Sequence, residues 1–341
     1  EILVKYFDQF EVKKSLNDTV LKLNIKEFEE LEKSQELLIP KTDRKFNGAF
    51  FTPRNIVYQI INEIKPKEKD HCSDISCGCG SFIIGLLKYY KTEHNKSLNQ
   101  TLKENIYGYD ILQYNIRRSK ILISVLGLEN DEIVLEKNFN FENCDSLSKK
   151  WKRKFDVIVG NPPYVKYQDM DEKLRDFLLQ NFESISKGTY NLYFSFFELG
   201  YNLLKDNGKL GYITPNNYFT SLSGETLRNF FSKNQNIYKI IDFNSQKVFD
   251  VLTYTCLTFL NKKKNEKILF NKYFNGKFDE YVKTMFEGLS EVKYKYLNDK
   301  KWRLLLNKDQ DNIKKIESVG EKIGTLFTIN VGIATLRDDL Y

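Results

Sequence analysis

Between residues 70 and 261 short apolar runs alternate with longer amphipathic stretches, and this alternation limits the chain to few folds. Residues 71–76, 105–110, 132–136, 155–159, 209–214, 237–243 and 254–261 read as strands. Residues 81–90, 112–126, 191–205 and 223–233 read as helices. Strands separated by helices must be joined by crossovers, which gives an α/β, doubly wound, mostly parallel sheet with helices on both faces. The run Phe155-Asp-Val-Ile-Val159 has the apolar texture of a strand covered on both sides. Ahead of this region, Thr52-Pro53 predicts a helix running to about Ile64, with the threonine hydroxyl as cap and proline at the first helical position. Residues 1–45 are polar, with Leu21, Leu23, Ile25, Phe28 and Leu31 near helical spacing, and predict a helical supporting segment. After residue 262 the periodicity is lost.

Of the 341 residues 41% are hydrophobic, enough for a substantial core. Cys72, Cys77, Cys79, Cys144 and Cys256 fit neither paired zinc ligands nor a small disulfide framework. They predict reduced thiols and a cytoplasmic protein. With His71 and His94 the only histidines, no metal site is expected. No apolar run approaches the roughly 18–20 residues that span a bilayer, so no membrane partner is expected. The formal charge of +7 is compatible with a polyanionic partner. The basic runs 148–154 and 261–267 read either as charged surface turns or as phosphate contacts. The chain begins at Glu1 and stops at Tyr341 without an obvious domain end, as expected of a piece of something longer.

In such a sheet, ligands sit beyond the carboxyl ends of the strands. The first expected end is Asp74-Ile-Ser-Cys-Gly-Cys-Gly-Ser-Phe82, where Gly78 and Gly80 permit a tight turn and close approach of a ligand. By itself this is either a ligand loop or a plain strand–helix turn. The second is Tyr107-Gly-Tyr-Asp110, whose acid can accept from a ribose diol. The third is Asn143-Cys-Asp145, whose carboxylate can accept from an exocyclic amine. Taken singly, either acid is more often an ordinary loop residue or helix cap. The most specific end is Asn161-Pro-Pro-Tyr164, directly after the apolar strand. Pro162 and Pro163 stiffen the backbone and remove two amide donors. Asn161 adds a side-chain acceptor and Tyr164 an aromatic face, a set suited to a planar heterocycle bearing an NH2 group.

The tetrad, the Asp-x-x-x-Gly-x-Gly turn and the upstream Thr52-Pro53 together resemble the bacterial N6-adenine DNA methyltransferases of restriction–modification systems in their gamma-type motif order. The resemblance spans roughly residues 46–262. It implies a seven-stranded Rossmann-like sheet and S-adenosyl-L-methionine (AdoMet) as cofactor. It also implies methyl transfer to the N6 amine of an adenine flipped out of double-stranded DNA. The domains would be a helical segment 1–45, a catalytic domain 46–262, and a connector with the start of a target-recognition domain over 263–341. The segment 324–335 is similar to the entry of that recognition domain. Restriction or specificity components would lie outside this chain, because residues 1–45 show no nuclease pattern.

Carried over position by position, the resemblance puts Thr52 near the methionine end of AdoMet and Asp74 near its amino group, with the Gly78–Gly80 turn packed close. Asp110 would take the ribose hydroxyls, Asp145 the cofactor's adenine amine, and Pro163 would pack on that ring. Asn161 and the Pro162 carbonyl would bind the target amine, and Tyr164 would stack on the target base. Phe249 is either the base's second aromatic face or a core residue. Cys77 and Cys79 depart from the small residues usual in this turn and are expected to be packing groups. Two alternatives share some of these features. One is a methyltransferase acting on RNA or a protein glutamine, which the acceptor substrate distinguishes. The other is a catalytically silent DNA-binding subunit, distinguished by AdoMet binding without turnover.

Overall fold

The computed structural model describes residues 52–185, 188–249, 254–321 and 323–328. The helical segment expected over 1–45 and most of the segment 324–335 lie outside them. In chain order the elements begin with α1 (Arg54–Ile64), β1 (Cys72–Asp74), α2 (Ser81–His94), α3 (Leu98–Glu104), β2 (Ile106–Asp110), α4 (Gln113–Glu129) and β3 (Asn140–Asn143). There follow β4 (Phe155–Gly160), α5 (Glu172–Asn181), α6 (Tyr193–Leu203), β5 (Leu204–Pro215), α7 (Glu225–Asn234), β6 (Ile237–Lys247) and β7 (Tyr254–Asn261). Then come β8 (Lys267–Lys272), α8 (Phe278–Thr284), β9 (Ser290–Lys293), α9 (Asn307–Glu317) and α10 (Ile323–Leu326). One compact unit ends at Leu304 and a second begins at Leu305.

Among the described residues the strands form one nine-stranded sheet in the order β3-β2-β1-β4-β5-β7-β6-β8-β9. The expected count of seven is therefore corrected. β8 adds parallel to β6, and β9 pairs antiparallel with β8, both beyond residue 262. From β3 to β5 the sheet is parallel, while β7 runs antiparallel between β5 and β6. All parallel strands thus present their carboxyl ends at one edge.

Strand residues alternate between faces, and β5 shows what each face receives. A Cβ added at Gly211 would meet Ile60 and Ile64 of α1 at 2.9 and 2.8 Å. The next residue, Tyr212, packs against Phe197 of α6 from the other side, ring centroids 5.5 Å apart. Helix α1 buries Ile56, Val57, Ile60, Ile61 and Ile64 as one stripe, and seats Val57 and Ile61 on Gly85 of α2. The opposite layer is aromatic, with Tyr193, Phe197, Tyr218, Phe231 and Trp302 all buried.

The strand expected at 132–136 is not one. Glu132 instead accepts from the backbone N–H groups of Leu98 and Asn99 at the start of α3, at 2.8 and 2.7 Å, and Ile133 faces solvent. The edge strand is the polar stretch Asn140–Asn143, paired with Tyr107–Asp110. An edge strand is covered on fewer sides and can be polar, so its apolar signal is weak.

Candidate active site

Asn161 follows the last residue of β4, where the two prolines stop the ladder. Its Nδ2 donates to Thr52 Oγ1 at 3.1 Å. The threonine hydroxyl therefore does not cap α1. Pro53 holds the cap position, and its carbonyl accepts from Ile56 and Val57 at 3.0 and 3.1 Å. The Thr-Pro segment joins the tetrad by a side-chain contact across 109 residues of sequence.

Asp74 ends β1, the neighbour of β4, and is 2% exposed. Its Oδ1 accepts from the Ser76 amide at 3.0 Å. A Cβ at Gly160 would stand 2.8 Å from that oxygen, so the carboxyl lies over the glycine that precedes Asn161. Burial pushes the Asp74 carboxyl up to about 8; the Ser76 bond opposes this and the Asp110 charge adds to it. Thr52, Asp74 and Asn161 thus converge, with Gly160 as the hinge between them.

The glycine turn is held from β2. Asp110 Oδ2 accepts from the Gly78 amide at 2.8 Å, and Oδ1 accepts from the Leu112 amide at 2.9 Å and Asn115 Nδ2 at 3.0 Å. Burial raises its pKa against these three donors. Three of roughly four lone-pair directions are used by the protein itself, which makes Asp110 a clasp of the turn whatever else it binds. The two glycines differ. Gly78 has φ 53°, and an added Cβ would meet nothing within 4 Å. Gly80 has φ 95°, and its Cβ would press on Ser119 of α4 at 2.9 Å. Gly78 leaves bare backbone over the turn, and Gly80 is required by packing.

Asp145 lies two residues past β3. Its carboxylate accepts from the Leu147 amide at 3.0 Å and the Ser148 hydroxyl at 2.8 Å. The Cys144 amide bonds to the Asp110 carbonyl at 3.0 Å, which places Asp145 beside the end of β2. Burial, with the charges of Asp110 and Asp74, holds the Cys77 thiol well above its ordinary pKa.

Tyr164 donates its hydroxyl to the Ile213 carbonyl of β5 at 3.1 Å. Its ring meets Tyr193 and Phe249 edge to face, at 6.1 and 6.4 Å between centroids. Phe249 is 7% exposed and packs within the core cluster. Pro162 is buried and Pro163 half-buried.

Several participants escaped sequence reading. Gly160 carries the approach of Asp74, and its only signal is its place before the tetrad. Asn115 supports Asp110 from one turn into α4. Asn143 Nδ2 donates to the carbonyls of Asp110 and Ile111 at 2.9 and 2.8 Å, tying the ends of β2 and β3. Ile111, 60% exposed directly after Asp110, offers an apolar surface beside the turn. Among the described residues no group of His, Cys, Asp and Glu could hold a metal ion.

The sequence pattern of the Eco57I restriction-modification methylase family matches residues 77–249. The chain is 29% identical to the type II restriction enzyme and methyltransferase RM.Eco57I of Escherichia coli, over 89% of this chain and 37% of that protein. It is 28% identical to the type II methyltransferase M.BanIII of Aneurinibacillus aneurinilyticus, over 69% of this chain and 41% of that one. The chain therefore spans about two fifths of the length of these relatives. Among solved structures, a DrdV–DNA complex superposes with a TM-score of 0.64 at 15% identity, covering 88% of this chain and 37% of that chain, a likeness of fold.

Proposed function

The chain belongs to the Eco57I restriction-modification methylase family, and on that premise we propose that it transfers a methyl group from AdoMet to the N6 amine of an adenine rotated out of duplex DNA. The observation that carries this reading is the junction of Thr52, Asp74 and Asn161 around Gly160. It sets an acceptor for a cation beside an acceptor for an amine.

The residues fit AdoMet. Asp74 is a buried carboxyl whose raised pKa marks it as short of a positive partner, which an α-ammonium supplies. Bare backbone at Gly78 and the exposed Ile111 suit the approach of a nucleoside. With AdoMet bound, Asp110 would take one ribose hydroxyl on its remaining acceptor direction, Asp145 and Pro163 would hold the adenine ring, and Thr52 would close the methionine end. When bound, AdoMet supplies a methyl group already activated on a sulfonium.

The rest falls to the chain's own side chains. The N6 lone pair of adenine is delocalised into the ring and is a poor nucleophile. Asn161, tied down through its nitrogen to Thr52, turns its amide oxygen to the target amine, and the Pro162 carbonyl takes the other N–H. Holding both N–H groups favours a localised lone pair aimed at the methyl carbon, a contribution of positioning and oriented dipoles. Rotating the base out of the stack costs on the order of a few kcal/mol. Stacking on Tyr164 returns roughly 1–3 kcal/mol, and the Ile213 bond with the Tyr193 edge keeps that ring from swinging away.

In this reading residues 46–262 carry the chemistry. Target recognition and any restriction activity are supplied from 263 onward or from outside the chain. The test is methyl transfer from labelled AdoMet offered duplex DNA, RNA and protein, followed by identification of the modified base. N6-methyladenine in DNA is expected. Asn161→Ala should lower transfer at least about 100-fold with AdoMet affinity retained. Transfer confined to RNA or protein, or loss of AdoMet binding in a folded Asn161→Ala chain, overturns the reading.

A further inference from the structure

The two basic runs that stand 113 residues apart in sequence lie on one edge of the sheet, and it is the edge away from the tetrad. Residues 149–154 lead into β4 at Phe155, and residues 262–264 leave β7, whose last residue Asn261 pairs with Lys209 near the start of β5. Residues 65–70, ahead of β1, join them. The Asp156 amide bonds to the His71 carbonyl at 2.9 Å, and Lys205 pairs with Asp156 at 2.6 Å. Lys209 Nζ donates to the Ile64 carbonyl at 3.0 Å. The segments 65–70, 149–156, 205–209 and 262–267 hold fourteen basic residues against five acidic ones, whereas the whole chain has a formal charge of +7. The positive excess of the chain is therefore held on this edge, and the remainder of the sequence, the tetrad included, is close to balanced.

These cations are crowded and held in place. Several stand over aromatic rings: Arg153 over Tyr107 at 4.5 Å, Lys149 over Trp151 at 5.6 Å and Lys262 over Tyr201 at 3.9 Å. Burial and then the charge of Lys154 lower the pKa of Lys262. Burial lowers that of Lys209; Glu63 opposes the shift, and Lys239, Lys65 and Lys67 add to it. Lys149, Lys205 and Lys267 pair with Glu142, Asp156 and Glu291, but fourteen basic residues against five acidic ones along these segments leave a net positive charge that an anion from outside relieves. From β1 to β8 the band crosses five strand spacings, about 24 Å, comparable to about seven base pairs of duplex at 3.4 Å each.

We propose that this amino edge is a second, sequence-independent contact face for the phosphate backbone of duplex DNA, engaging a stretch other than the one whose base enters the tetrad. The proposal takes DNA as partner from the reading above. Composition favours phosphate over an acidic protein surface. Thirteen of the fourteen basic residues are lysine, a point-charge phosphate binder, and lysine is depleted in protein–protein interfaces where arginine is enriched. The tetrad follows the carboxyl end of β4 and the basic band precedes its amino end, six residues or roughly 20 Å away, so a straight duplex seated along one edge of the sheet does not also run along the other.

The experiment measures binding of the whole chain to a labelled duplex made only of G·C pairs, across a salt series. Such a duplex contains no adenine, so its binding is independent of methyl transfer. The variant Lys152→Glu/Lys154→Glu/Lys262→Glu/Lys264→Glu should bind at least tenfold more weakly than the parent. Its log K against log salt should flatten by about 0.9 for each phosphate that the variant no longer neutralises. Unchanged AdoMet affinity and melting temperature confirm that the variant is folded. Equal affinity and salt slope in parent and variant overturn the proposal. So does binding to poly-glutamate as strong as to the duplex, which would assign the edge to an acidic protein surface. Loss of N6 methylation with this binding intact would remove the earlier reading and leave this one standing.

Discussion

Asp74 shows how a single buried acid ties site chemistry to stability. Its ordinary pKa of 3.8 rises to about 8 because burial strips solvent from the charged form. Between those values the folded chain keeps a proton that the unfolded chain has lost. Its contribution to stability is therefore fullest below pH 3.8 and is lost as the pH climbs toward about 8. Asp74→Asn should remove this loss, so that the melting temperature of the ligand-free variant changes less than that of the parent between about pH 5 and about pH 8. A steeper dependence in the variant would contradict the assignment. The same group makes AdoMet binding proton-linked. An ammonium beside the carboxyl pulls its pKa back down, and binding near neutral pH should release up to about one proton. Calorimetry in buffers of different ionisation enthalpy reads that number, and zero exchange would take Asp74 away from the ammonium.

At the scale of elements, Asp110 joins the turn after β1 to the end of β2 and the start of α4 through three donors. Asp110→Ala leaves the Gly78 and Leu112 amides and Asn115 without this acceptor. A loss of about 1–3 kcal/mol of stability is expected in denaturant titration, because buried donors left unmade carry their desolvation penalty. AdoMet affinity should fall together with it. A variant that loses affinity but not stability would show that the clasp is unimportant and that the acid acts on the ribose alone. Gly80 belongs at this scale as well. Its place in the turn suggests an approach for ligand, yet its left-handed φ and the nearness of Ser119 make it a helix–helix packing position.

Across the main unit, the segment after β9 is bound back onto the loop that follows β5 by a buried guanidinium, by the Trp302 amide, which donates to the Phe219 carbonyl at 2.8 Å, and through Asp299, which accepts from the Ser232 hydroxyl of α7 at 2.6 Å. Arg228 donates to the carbonyls of Tyr218 at 2.7 Å, Ser221 at 2.8 Å, Asp299 at 2.6 Å and Lys300 at 2.6 Å, and Trp302 is buried close by against Tyr218 and Phe231. Arg228→Ala should cost about 3 kcal/mol or more, because several charge-assisted bonds go at once. It should also loosen residues 297–304 to hydrogen exchange. Protection there equal to the parent's would mean that Trp302 and the Ser232–Asp299 bond hold the segment without the guanidinium. The loop so fixed also carries Asn217, whose Oδ1 accepts from the Tyr193 hydroxyl at 2.8 Å. Residues 297–304 are thus connected to the ring beside Tyr164.

The alternation of elements, the parallel core and the tetrad at the mouth of β4 were legible in the residues themselves. Periodicity and proline are local signals, and a strand covered on both faces has little choice but to be apolar. The edge strand Asn140–Asn143 was not legible, because an edge can be polar. The two strands after residue 262 and helices α3 and α5 were missed as short, mixed segments. Asp74, Asp110, Asn161 and Thr52 could be nominated from their places in motifs. Only the fold could say that the Thr52 hydroxyl turns from capping its helix to the Asn161 amide, or that Asp110 is already spent on three donors. Only the fold brings two lysine runs to a common edge. Such facts depend on pairs of residues separated by tens to hundreds of positions, and a linear sequence carries no distance between them until the sheet has set their order.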